Sequence, residues 1–139
     1  MKSLLVRLGV VLIGLAIFGY AEVWGADWKS YFVTKMELCF FDASSITRPS
    51  KNIVTVWVRH DFTEMGVKNY AGHQGKKYEN VSHLIHLVEI NCEEKKIHRL
   101  SGTVYDNKGE VISSFNSPSE WRLIAPESMN ESLYEEVCK

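Results

Sequence analysis

Long apolar runs are scarce in this chain, and the one it has is short. Leu8 to Ala21 is uncharged and mostly apolar, preceded by Lys2 and Arg7 and followed closely by Gly25 and Ala26. A membrane span needs about 20 apolar residues, so this run has the layout of a secretory signal peptide instead. Cleavage after Gly25 or Ala26 is the expectation, giving residues 1–25 as leader and residues 26–139 as a single domain with no transmembrane segment. Charge of one sign is lacking too: 16 basic residues face 17 acidic ones, for a net charge of −1. Without a basic cluster there is no electrostatic footprint for nucleic acid. Catalytic signatures are also missing. There is no G-x-S-x-G elbow, no protease-like cysteine context and no ligand spacing of a zinc site, so neither an enzyme nor a bound cofactor or metal is expected.

Cysteine is sparse and odd in number, with Cys39, Cys92 and Cys138. An exported chain meets an oxidising compartment in which disulfides persist, and three thiols cannot all pair internally. Joining Cys92 to Cys138 would close a loop of about 47 residues, which chain entropy values at about 4 kcal/mol. Cys39 would then remain as a buried thiol or a link to another chain. Pairing Cys39 with Cys92 is the rival arrangement.

What is present reads mainly as strands. Trp28 to Val33 and Glu37 to Phe41 suggest a hairpin about Thr34-Lys35-Met36, and Arg48-Pro49-Ser50-Lys51-Asn52 reads as a connecting turn. Ile53 to Phe62 is rich in β-branched and aromatic residues, as a pleated strand favours. Val54, Val56, Val58 and Phe62 share one of its faces. Thr63 to Gly75 reads as a short helix or helical turn followed by a mobile loop. Val81 to Ile90 is the central strand, with Leu84, Val88 and Ile90 on the side of Cys92. Lys96 to Tyr105 and Glu110 to Phe115 form a hairpin about Asp106-Asn107-Lys108-Gly109, and Leu123-Ile124 a last short strand. Pro126 to Lys139 is an amphipathic helix, with Met129, Leu133 and Val137 at four-residue spacing. Ser128 and Glu131 have capping-box spacing, which would start the helix two residues later. Strands with a segregated helix predict an α+β domain: an antiparallel β-sheet with the C-terminal helix packed on one face and tied by a disulfide.

Three groups of side chains invite a functional reading. His83 and His86 fall on opposite faces of a strand and cannot share an ion. A site of His60, His86 and His98 assembled across strands is conceivable, but surface histidines are the expectation. Trp28, Trp57, Trp121 and Tyr105 would make a platform for sugar or peptide, against which stands the usual fate of large aromatics, and Trp57 and Trp121 are expected in the core. Arg48, Lys51, Lys76, Lys77 and Tyr78 are the candidate rim contacts for a protein partner.

The chain resembles the family of small exported bacterial proteins grouped around surface-adhesin protein E. The resemblance runs through Asp42-Ala43-Ser44-Ser45-Ile46, Arg48-Pro49-Ser50-Lys51, Val54-Thr55-Val56-Trp57-Val58 and Lys76-Lys77-Tyr78-Glu79-Asn80. It continues through Glu89-Ile90-Asn91-Cys92, Ser117-Pro118-Ser119-Glu120-Trp121-Arg122, Pro126-Glu127-Ser128 and Cys138. It implies an antiparallel sheet with a disulfide-tied C-terminal helix, carries the bridge onto Cys92 and Cys138, and implies dimers and binding to host extracellular-matrix protein. No cysteine follows the leader directly, so the lipid anchor of some adhesins is not expected, and Cys39 lies outside the pattern. The expected function is thus an exported, non-enzymatic binding protein in the periplasm, on the cell surface or secreted. The alternative is a periplasmic carrier of a small ligand or metal.

Overall fold

The computed structural model describes residues 25–139; the expected leader lies outside them but for Gly25. Among these residues eight strands form one antiparallel sheet. They are β1 (Trp28–Val33), β2 (Glu37–Asp42), β3 (Thr47–Ser50), β4 (Ile53–Phe62), β5 (Val81–Asn91), β6 (Lys96–Asp106), β7 (Val111–Phe115) and β8 (Arg122–Leu123). Two helices accompany them, α1 (Glu64–Gln74) and α2 (Met129–Val137). The strand order is β1-β2-β4-β5-β6-β7, with β3 on β4 and β8 on β6.

Alternation along the strands separates the two faces of the sheet. Val54, Val56, Val58, Val88 and Ile90 are buried on one face, and Leu133 and Val137 of α2 pack against them together with Phe41, Ile97 and Ile124. α1 lies towards the same face, where Tyr70 meets the ring of Phe62 at 4.9 Å between centroids. The opposite face carries no helix among the described residues.

α2 is nine residues long, too short to persist alone in water, and it is held at several points. Cys92 and Cys138 are joined, with Cα atoms 5.6 Å apart. The Tyr134 hydroxyl donates to the Cys92 carbonyl at 2.9 Å, and Arg48 donates to the carbonyls of Val137 at 3.1 Å and Lys139 at 3.3 Å. The positive charge meets the carbonyl end of the helix, where such contacts are favourable. Ser128 caps the other end by accepting from the Glu131 amide, so the later of the two expected helix starts is the observed one and Pro126 lies outside.

Two segments differ from the sequence expectations. The stretch around Arg48 is not a plain turn: Thr47–Ser50 forms β3 and pairs with β4. Proline fits there because β3 pairs on one side only and needs no donor on the other. The expected mobile loop before Gly75 is also absent. α1 runs to Gln74, stops at Gly75 with φ of +113°, and leads into a 3-10 turn at Lys76–Tyr78. α1 lacks a continuous apolar stripe, so its periodicity was weak, and its stability comes from how it is seated. Thr63 Oγ1 accepts from the Gly66 amide and donates to the Lys35 carbonyl at 2.6 Å.

Gly66 sits so close to the β1–β2 turn that a Cβ there would lie 1.8 Å from the Met36 carbonyl oxygen. Since that neighbour is backbone, Gly66→Ala must push α1 off the hairpin. We expect a loss of about 1–3 kcal/mol in urea unfolding. Gly72→Ala meets nothing within 4 Å and is expected to be neutral or mildly stabilising.

Candidate functional site

The helix-free face is the first feature with functional character. Register places Phe40, Arg59 and Ile85 in one row, with Trp57, Leu87 and Ser101 in the next. Trp28, Asp42, Trp57, Ile85, Thr103 and Tyr105 line an open depression on it. Trp57 is 38 % exposed and Trp121 40 %, so neither is the core residue expected from its size. β4 explains Trp57: the core face takes the even positions from Val54 to Val58, and Trp57 must point the other way. Trp121 lies on a loop, where its ring stacks on His98 at 3.7 Å. His98 is itself held by the Glu89 carboxylate at 2.9 Å and the Ser119 carbonyl at 3.0 Å. Trp121 is thus fixed in place, and both tryptophans are open to solvent, as binding anchors are.

The charged candidates are not gathered in one patch. Arg48 and Lys51 lie at the end of the sheet where β4 begins, and Lys76, Lys77 and Tyr78 precede β5, which starts beside the far end of β4. The length of β4 separates the two groups by about 30 Å. Arg48 is engaged with α2, whereas Lys51, Lys76 and Lys77 are exposed. Tyr78 bonds Ser113 through its hydroxyl at 3.0 Å, with the Lys77 ammonium 5.1 Å from its ring centroid.

The second feature is a polar cluster set into the otherwise apolar helix face. His60 and His86 are buried, at 7 % and 8 % exposure, which corrects the expectation of surface histidines. The signal was in the sequence: His60 shares its parity with Val54, Val56 and Val58, and His86 with Val88 and Ile90. Their Nε2 atoms lie 3.0 Å apart. His60 Nδ1 faces Cys39 Sγ at 3.3 Å and Glu37 Oε2 at 3.4 Å, and Cys39 Sγ lies 3.6 Å from Met129 Sδ. His98 takes no part in the cluster. What sequence reading missed was the pairing of β2 with β4, which sets Cys39 directly opposite His60.

Burial governs the protonation of this cluster. It pushes the Cys39 thiol up to about 12, with the Glu37 charge adding to the effect. The thiol is therefore kept protonated, the opposite of what a nucleophilic cysteine needs. Burial, then the neighbouring His60 and Arg99, lowers His86 to about 3, and its Nδ1 finds no partner among the described residues. The hydrogen bond from His60 holds the Glu37 carboxyl below the usual range. Tyr31, beside Cys39 and Glu37, is raised by burial. The cluster can hold protons or accept an ion, but it lacks an activated nucleophile.

Among the described residues no helix is long and apolar enough to cross a membrane. The family model for surface-adhesin protein E matches residues 28–139. No curated protein and no solved structure matches the chain.

Proposed function

The chain belongs to the surface-adhesin protein E family, and from that premise we propose that it is an exported, non-enzymatic protein that uses the helix-free face of its sheet to hold a protein partner. The partner class is extracellular-matrix protein of a host, and the destination is the outer part of the cell envelope or the medium. The observation that carries this reading is the solvent-open Trp57, which lines the depression together with Trp28 and Tyr105, with a second solvent-open tryptophan, Trp121, stacked on His98. Aromatic anchors of this kind supply most of the energy of protein interfaces. The family disulfide, formed here between Cys92 and Cys138, supports export because such bonds persist in oxidising compartments. The rim contacts are assigned to the exposed Lys51, Lys76 and Lys77 and the half-buried Tyr78, with Arg48 shared between α2 and the partner. A second copy of the chain is placed at a free edge of the sheet, β1 or β7, where Val33 and Val111 are exposed.

The test is binding of the purified protein to immobilised matrix proteins, with Trp57→Ala as the probing variant. Because Trp57 is partly exposed, the substitution should leave the fold intact while weakening binding about 30-fold, the effect of losing an interface anchor. Failure to bind any matrix protein, or binding untouched by Trp57→Ala, would overturn the assignment of this face. Light scattering at rising concentration reads the second copy directly.

A further inference from the structure

On the opposite face, the cluster gathers four side chains of ligating type around the buried Cys39 and His60. Cys39, His60 and Glu37 have donor atoms all within 4.8 Å of one another, and the Met129 thioether adjoins the thiol. Metal bonds to nitrogen and sulfur of 2.0–2.3 Å, taken at tetrahedral angles, set neighbouring donors about 3.3–3.8 Å apart. The observed separations are 3.3 Å from Cys39 Sγ to His60 Nδ1, 3.6 Å from Cys39 Sγ to Met129 Sδ and 3.4 Å from His60 Nδ1 to Glu37 Oε2. We propose that Cys39, His60 and Met129, with Glu37 beside them, form a binding site for a thiophilic transition-metal ion, copper(I) in preference to zinc(II).

The choice of metal follows from the sulfurs. A thiolate and a thioether are soft ligands that favour copper(I), whereas zinc is held by thiolate, imidazole and carboxylate and has no call for a thioether. Cys39 is also the cysteine without a disulfide, and with the other two already joined it has no intramolecular partner to oxidise with. His86 supplies the outer support that a ligating histidine needs. When His60 carries its proton on Nε2 and donates it to His86 Nε2, the lone pair on His60 Nδ1 faces the ion. Loading expels the Cys39 thiol proton to solvent and forms the copper–sulfur bond, with no change of oxidation state. Glu37 and Met129 are only partly buried, so they mark the way in.

The site also has a mechanical consequence. Met129 is the first residue of α2, so an ion would fasten the helix at its start as the disulfide fastens its end. This site is separate from the proposed binding face and stands or falls independently of it.

The purified protein is titrated with copper, kept as copper(I) by ascorbate so that the disulfide survives, in competition with a chromophoric chelator. A parallel titration uses zinc. One copper(I) per chain is expected, with copper X-ray absorption showing two sulfur neighbours. Cys39→Ser should abolish that stoichiometric binding, and Met129→Leu should weaken it at least tenfold with little effect on zinc. Met129→Leu nearly conserves volume, so it decides the matter if Cys39→Ser fails to fold. Absence of binding, binding unchanged in Met129→Leu, or zinc held more tightly than copper(I) would overturn the proposal.

Discussion

Replacing both Cys92 and Cys138 with alanine is expected to lower the free energy of unfolding by about 4 kcal/mol, the entropy that the bridge removes from the unfolded chain by closing a loop of about 47 residues. Domains of this size are stable by only about 5–15 kcal/mol, so the loss is a large share of the whole. The loss is not spread evenly over the structure. β4 and β5 remain paired along nearly their full length, while α2 keeps its packing through Leu133 and Val137, the contact of Met129 with Cys39 and those of Tyr134, Arg48 and Lys95. Hydrogen exchange should therefore rise first in α2, and the urea midpoint should fall. A change below about 1 kcal/mol would show that packing alone holds the helix. Cys39 is buried and should stay closed to bulky thiol reagents in the native state of both proteins.

Mild acid is expected to be the second large perturbation, and its cause is His86. Burial lowers its folded pKa from 6.5 to about 3, so in the window between these values the unfolded chain takes up a proton that the folded chain refuses. Stability is therefore complete above pH 6.5 and is lost progressively as pH falls towards 3, at up to about 1.4 kcal/mol per pH unit. Between pH 7 and pH 5 the loss should be about 2 kcal/mol. Glu37, whose carboxyl is also held below its ordinary value, chiefly by its hydrogen bond with His60, adds to the loss only once pH falls below 4.5. His86→Leu removes both the refused proton and the unpartnered Nδ1, and should flatten the profile between pH 7 and pH 5. Equal slopes in the two proteins by urea unfolding would rule out His86 as the cause.

Much of the fold was legible because it is written in local patterns. Even positions from Val54 to Val58 and from Val88 to Ile90 marked one face of two neighbouring strands, and Met129, Leu133 and Val137 marked the face of α2 that meets them. Ser128 and Glu131 located the helix start through capping chemistry. α1 was harder to see because Thr63 and the close approach of Gly66 to Met36 do what an apolar stripe does elsewhere. The tryptophans were misplaced because size alone suggested burial, while strand parity, which put Trp57 opposite Val56 and Val58, was the better guide.

The candidate sites were less legible, for a different reason. Neither the histidine pair nor its neighbours are close in sequence: Cys39 and His60 meet because β2 pairs with β4, His60 and His86 because β4 pairs with β5, and Met129 reaches them only when α2 docks.

By itself, then, the sequence determined the alternation of apolar and polar positions, the capped amphipathic tail, the near-neutral charge and the family to which the order of motifs points. Side-chain period and cap chemistry act over a few residues, so these are local properties. Tertiary structure decided which strands lie side by side, which face stays bare with its tryptophans, and that a thiol, a thioether, an imidazole and a carboxylate converge inside the helix face. Those outcomes depend on contacts between residues as far apart as Cys39 and Met129, which come together only when the whole sheet and its helix are assembled.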